Sequence, residues 1–256
     1  MKPLKTHIPN LLTSCNFLCG AVAIILALEG FYGGEMAKFM PLALLFIIVG
    51  AVFDFLDGMS ARLLHVSSPI GKELDSLADA TTFGLAPAVM IMAVVNEITN
   101  SYFGYIALIM AAASIIRLAK FNLDQRQTTS FIGLATPANA LFWAGISCVL
   151  ILLKVDSQKV AICFLLLTIV SSYLMNAEIP FFSLKFHDLK WKNNRIRYIF
   201  LIISALLYAL GILMAFLEPN EKILSLIIPI PFIIIVYIIL VIFDNLIRIW
   251  KKTDNE

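Results

Sequence analysis

Charged side chains are scarce in this sequence. Asp, Glu, Lys and Arg make up 14% of its 256 residues, against about 25% in ordinary soluble domains. Eight stretches contain none of them: 6–28, 39–53, 80–96, 98–116, 127–153, 160–177, 198–217 and 223–243. Most approach or exceed the roughly 20 apolar residues that carry a helix across a bilayer. The stretches are continuously apolar rather than alternating, which excludes a membrane β-barrel. No internal repeat and no low-complexity tract is present. Histidine and cysteine are also rare, at three and four residues. Cys15, Cys19, Cys148 and Cys163 all fall within apolar runs, and Cys15 and Cys19 have no histidine nearby, so packing is their expected role. His7 and His187 read as surface residues, and His65 as a solvated residue at the membrane boundary. A net charge of +2 is too small to imply a nucleic-acid partner.

What is present is 61% hydrophobic residues, arranged as one all-α polytopic membrane bundle of about eight helices. The expected spans are 10–28, 38–57, 71–95, 102–122, 133–155, 159–177, 196–217 and 223–250. The second continues into a polar stretch, 58–68, broken by Pro69. Gly84 and Pro87 are expected to bend the third, and Pro229 with Pro231 to kink the eighth early. Lys2 and Lys5 precede a long run without a clear cleavage site, so the first segment reads as a retained helix. With eight crossings, only Lys38, Lys154, Lys159 and Lys222 lie on one side, and the other 15 of the 19 basic residues share the opposite side. Basic loops stay in the cytoplasm, which puts both termini there and turns the basic face toward anionic headgroups.

Ionisable residues at membrane depth are costly and need partners. Four carboxylates gather where the second and third spans meet the cytoplasm. Asp54 and Asp57 are three apart and Asp75 and Asp79 four apart, so each pair shares a helix face. If these spans are neighbours, the faces converge. Helix capping explains one such residue at most. Arg62 and Lys72 supply two positive charges, too few for four acids. Hard divalent cations, Mg²⁺ or Mn²⁺, suit carboxylate oxygens, and two of them together clamp phosphoryl groups. Spacing alone leaves open a metal-dependent enzyme and an ion-coupled carrier.

The residues between the acids carry more. Asp54-Phe55-Leu56-Asp57-Gly58-Met59-Ser60-Ala61-Arg62, eight residues, then Gly71-Lys72-Glu73-Leu74-Asp75-Ser76-Leu77-Ala78-Asp79 resembles the signature of the CDP-alcohol phosphotransferase family at every fixed position. The resemblance implies that Asp54, Asp57 and Asp75 bind two divalent cations, and that Asp79 binds metal and acts as general base on an acceptor hydroxyl. It further implies that Asp57, Gly58, Ala61, Arg62 and Gly71 bind a CDP-lipid. Gly58 and Ala61 keep one helix face thin, and Arg62 suits a phosphate.

Other segments resemble the bacterial and archaeal phosphatidylserine synthase branch of that family. They are Pro9-Asn10-Leu11-Leu12-Thr13 with Asn16 and Gly20, Phe83-Gly84-Leu85-Ala86-Pro87-Ala88, Arg117-Leu118-Ala119-Lys120-Phe121-Asn122, and Phe131–Ala138, where Ala135 replaces the usual first proline. This implies CDP-diacylglycerol as donor, L-serine as acceptor and a homodimer in the cell membrane. Glycerol 3-phosphate and inositol phosphate are the competing acceptors, through a basic pocket of Arg117, Lys120 and Arg126. Arg117 and Asn122 are the candidate acceptor contacts. The plainer alternative has Arg117 snorkelling to headgroups or pairing with Asp124. Thr81 and Thr82 are expected to bond helix carbonyls, Glu73 to face solvent and Glu178 to serve the adjacent basic loop. The whole chain reads as a single membrane domain, with a six-helix catalytic core over about 9–183 and added C-terminal helices over about 196–250.

Overall fold

The computed structural model describes residues 2–66, 68–124, 131–182 and 190–253. Arg126, Lys185 and His187 lie outside those residues. The chain is an all-α, multi-pass membrane protein. Among the described residues, seven helices are long and apolar enough to cross a bilayer, and Thr136–Leu152 is a shorter apolar helix.

Helix α1 (Lys2–Gly33) and helix α2 (Met36–Leu63) pack along one another as an antiparallel pair. Gly34, at φ +70°, makes the tight turn between them, a conformation glycine adopts without the penalty of a Cβ. Helix α2 runs past the expected end at residue 57 to Leu63. Gly58 costs an α-helix about 1 kcal/mol, which Met59, Ala61, Arg62 and Leu63, all good helix formers, offset. The stop comes at His65, in the left-handed region at φ 52°.

Helix α3 (Pro69–Asp79) begins two residues earlier than expected. The Ser68 hydroxyl accepts from the Gly71 amide at 3.0 Å, and Pro69 occupies the first helical position, where a missing N–H costs nothing. The same rod continues through a π-helical segment, Ala80–Leu85, into α4 (Ala86–Thr99). The Ala86 amide donates to the Thr81 carbonyl, five residues back. Pro87 explains the widened turn, because it has no N–H for the carbonyl four residues before it. Where Gly84 and Pro87 were expected to bend this span, the helix widens into the π segment and continues as one rod. Every residue from Ala86 to Asn96 is buried, making α4 the central post, in contact with α1, α6 and α7.

A 3₁₀ segment, Phe103–Leu108, leads into α5 (Ile109–Leu123). Next come α6 (Thr136–Leu152) and α7 (Gln158–Asn176). With 17 residues, α6 spans about 26 Å at 1.5 Å per residue, short of a roughly 30 Å hydrocarbon layer. It is nevertheless an interior helix: Trp143 is fully buried, and its Nε1–H reaches Ser171 Oγ at 2.7 Å. Two-residue strands β1 (Phe131–Ile132) and β2 (Pro180–Phe181) pair antiparallel. They tie together the segments that follow α5 and α7. Helix α8 (Trp191–Leu217), the short α9 (Lys222–Ile227) and α10 (Pro229–Thr253) complete the chain. The break between α9 and α10 falls at the expected prolines. Helix α10 packs on α6 and α8.

Candidate active site

The last turns of α2 and the first turns of α3 bring the acids together, and α1 packs alongside both. Helix α1 packs against α2, against α3 and against the π segment, and beside it the acid-bearing faces of α2 and α3 converge as expected. Asp54, Asp57 and Asp75 each place a carboxylate oxygen within 4.8 Å of the others. Asp57 is buried, and Asp54 and Asp75 are half-buried. Asp79, one turn further along α3, stands outside this group of three but within electrostatic range of all its members.

Two α1 side chains reach the acids. The Thr13 hydroxyl contacts Asp57 Oδ2 at 2.5 Å and the Pro9 carbonyl at 3.0 Å. Asn16 Nδ2 donates to Asp79 Oδ1 at 3.0 Å. Asn16 is fully buried, and its backbone carbonyl accepts from Thr82 Oγ1 at 2.8 Å. That contact is close because the neighbouring positions are bare. A Cβ on Gly20 would run into Thr82, and one on Gly50 would lie 2.7 Å from Thr82 Cγ2 and 3.0 Å from Asn16 Oδ1. Thr81 bonds the Leu77 carbonyl of its own helix at 3.1 Å, as expected, whereas Thr82 bonds a carbonyl of the neighbouring helix. Thr13 and Asn16 had no assigned role in the sequence. Their signal is two polar residues three apart on an otherwise apolar helix face.

The donor set fits hard cations. Two unit charges 4.8 Å apart repel by about 3.5 kcal/mol at an effective dielectric of 20. Three such pairs total about 10 kcal/mol, as large as the stability of a whole domain. The ion pair of Lys38 with Glu35 lies at the opposite end of α2 from the acids. Asp75 Oδ1 is buried without a hydrogen-bond donor. A cluster of carboxylate oxygens with an unfilled acceptor is what Mg²⁺ or Mn²⁺ coordinates.

Beside the acids opens a cavity of about 270 Å³, whose lining includes Thr13, Asp57, Gly58, Ala61, Gly71 and Asp75. Space beyond Gly58 is open, so a flat group can lie against the backbone there. Arg62 is exposed and not part of this lining; the cation that lines the cavity is Lys72, whose Nζ donates to the Asn122 carbonyl at 2.8 Å.

A second cavity, of about 350 Å³, lies between α5, β1 and the end of α7. Arg117, Lys120, Asp124, Asn176 and Glu178 give it groups of both signs. Arg117 points inward, only 7% exposed, with Nη1 donating to Thr136 Oγ1 at 2.8 Å. Arg117 Nε and Asn176 Oδ1 are buried and unpaired. Arg117 also lies within electrostatic range of Asp79. Asn122 does not line this cavity: its Nδ2 donates to Ser76 Oγ at 2.7 Å, fastening α5 to α3. Asn176 was missed because a single amide at a helix end carries no pattern. His7 and His65 are exposed, the latter in the turn after α2, and the four cysteines are unpaired.

A family model described as CDP-alcohol phosphatidyltransferase matches residues 6–184. Among curated proteins, the chain is 36% identical over 184 residues to a CDP-diacylglycerol–serine O-phosphatidyltransferase of Bacillus subtilis, covering 71% of this chain and 93% of that protein. It is 31% identical over 215 residues to a protein of the same name from Helicobacter pylori, covering 78% and 81%. A yeast protein of that name, from Saccharomyces cerevisiae, is 36% identical over 121 residues, less than half of either chain. With the family model covering well over half of its length, the chain belongs to the CDP-alcohol phosphatidyltransferase family.

Proposed function

We propose that the protein transfers the phosphatidyl group of CDP-diacylglycerol to the hydroxyl of L-serine, forming phosphatidylserine and CMP. The relatives' names support the reaction, and the buried, unpaired Arg117 Nε and Asn176 Oδ1 in one cavity are the observation that carries the acceptor assignment. Asp54, Asp57 and Asp75, with Asp79, would hold two Mg²⁺ or Mn²⁺ ions. Bound there, the ions supply charge neutralisation for the donor's pyrophosphate.

The chain's own residues do the rest. CDP lies in the cavity over Gly58 and Ala61, with Lys72 close to its phosphates. Asp79, oriented by the Asn16 amide, takes the proton of the serine hydroxyl. The oxygen attacks the lipid-side phosphorus, a P–O bond forms, and the bond to CMP breaks with its electron pair on the CMP oxygen. Arg117 receives the serine carboxylate, and Asn176 Oδ1 accepts from the ammonium group. Groups of both signs around this cavity suit a zwitterion better than a phosphate monoester, which separates serine from glycerol 3-phosphate and inositol phosphate. The site sits at the ends of α2 and α3, so acyl chains remain in hydrocarbon while the nucleotide meets water. The basic-residue bias puts that end, and both termini, on the cytoplasmic side.

An acceptor screen tests the reading. CMP release from CDP-diacylglycerol is expected with L-serine and Mn²⁺ or Mg²⁺, and to stop with EDTA. Turnover with glycerol 3-phosphate or an inositol phosphate, and none with serine, would overturn it.

A further inference from the structure

The residues matched by the family model end at 184, so α8–α10 lie outside them. One face of α10 nevertheless reaches the segment that bounds the acceptor cavity. One wall of that cavity is the end of α7 and the strap that follows it. Asn176 and Glu178 line the space, and β2 pairs with β1 across Ile132, another lining residue. The Gly133 amide donates to the Ile179 carbonyl at 2.9 Å and fixes the same strap one residue earlier.

Helix α10 grips this strap by its backbone at two points. Tyr237 Oη donates to the Phe182 carbonyl at 3.0 Å, and Asn245 Nδ2 donates to the Pro180 carbonyl at 2.9 Å. Tyr237 is only 6% exposed, and its ring is enclosed by Phe181, Phe182 and Phe200 at centroid distances of 5.9, 5.0 and 5.7 Å. Tyr237 also lies within electrostatic range of Arg117. An apolar ring would fill the aromatic nest equally well. The hydroxyl adds one directed bond, aimed at the main chain beside the cavity.

We propose that Tyr237 and Asn245 are positioning residues for the acceptor. By holding the carbonyls of Phe182 and Pro180, they set the distance between the strap and α5, and so the fit of Asn176 and Arg117 around the acceptor. Neither touches the reacting atoms. The inference rests on the reading of the Arg117 cavity as the acceptor site.

The test uses the full chain in detergent or nanodiscs, with serine and CDP-diacylglycerol varied in turn. Tyr237→Phe keeps the ring and removes the bond. It is expected to raise the serine KM about fivefold, as loss of one neutral hydrogen bond would, while leaving the CDP-diacylglycerol KM unchanged and lowering the melting temperature by only about 2–4 °C. Tyr237→Phe combined with Asn245→Ala is expected to raise the serine KM further. A serine KM within twofold of wild type in Tyr237→Phe overturns the proposal, as does a parallel rise of both KM values. If the double variant does not fold, the single variant decides. Arg117→Lys separates the two claims. Should it raise the serine KM while Tyr237→Phe does not, the brace alone fails; should it leave the serine KM unchanged, the acceptor reading fails and the brace with it.

Discussion

Replacing Asp54 with Asn should make the protein harder to melt without metal, while destroying its activity. Asp54 takes part in two of the three carboxylate pairs held within 4.8 Å. Each pair repels by about 3.5 kcal/mol at a dielectric of 20, so the substitution relieves at most about 7 kcal/mol. Asp54 is only half-buried, and water and side-chain relaxation take up most of that, leaving a gain of about 1–2 kcal/mol, nearer the scale of exposed pairs. For a chain of this length that is a rise of about 2–8 °C in melting temperature. Divalent ions should reverse the order. A cation at a hundred times its dissociation constant stabilises the native state by about 2.7 kcal/mol, and the variant forfeits much of this with one ligand gone. The assay is thermal unfolding of wild type and Asp54→Asn in EDTA and in Mn²⁺, alongside CMP release. A variant less stable than wild type in EDTA, or an equal metal-induced shift in both proteins, would refute the picture of a repulsive acid cluster.

Two further outcomes follow from helix α1. Thr13→Val keeps the shape and removes the contact to Asp57; a hydrogen bond to a charged group contributes about 1.5–3 kcal/mol, so CMP release at limiting Mn²⁺ should fall about tenfold or more. An unchanged metal dependence would show that Thr13 only packs. Gly20→Ala puts a methyl into Thr82, an overpacking that costs about 1–3 kcal/mol and should lower the melting temperature and the turnover together. Full activity at unaltered stability would mean that α1 and the π segment separate easily.

The acids were legible because a carboxylate in an apolar run has few explanations, and four at helical spacing have fewer. Their grouping was legible only in part. Spacing put Asp54 with Asp57 and Asp75 with Asp79, but gave no hint that α1 packs against both helices and bonds the acids. Polar residues such as Thr13 and Asn16 are common in membrane helices, so without coordinates nothing assigned them to the acids. Arg62 looked like the phosphate partner from its place in the signature. The continuation of α2 to Leu63 carries it outward, and Lys72, on the facing wall, lines the cavity instead. Arg117 was placed in the right region because a basic residue inside a span must find a partner, while Asn122, only five residues on, serves α3 rather than the cavity. Tyr237 was beyond reach, since one tyrosine in a generic apolar helix has no pattern to betray its distant carbonyl.

The widened turn after Asp79 changes the phase of a single rod. One additional residue rotates everything downstream by about 100° relative to an uninterrupted α-helix. The half that bears carboxylates and the half sealed inside the bundle can therefore aim at different neighbours, although they belong to one unbroken strut from Pro69 to Thr99. Removing a residue between Ala80 and Leu85 would restore α-helical phase and rotate one half out of alignment with the other. The bulge works as an angular spacer, letting a rigid interior post present a chemically exacting tip.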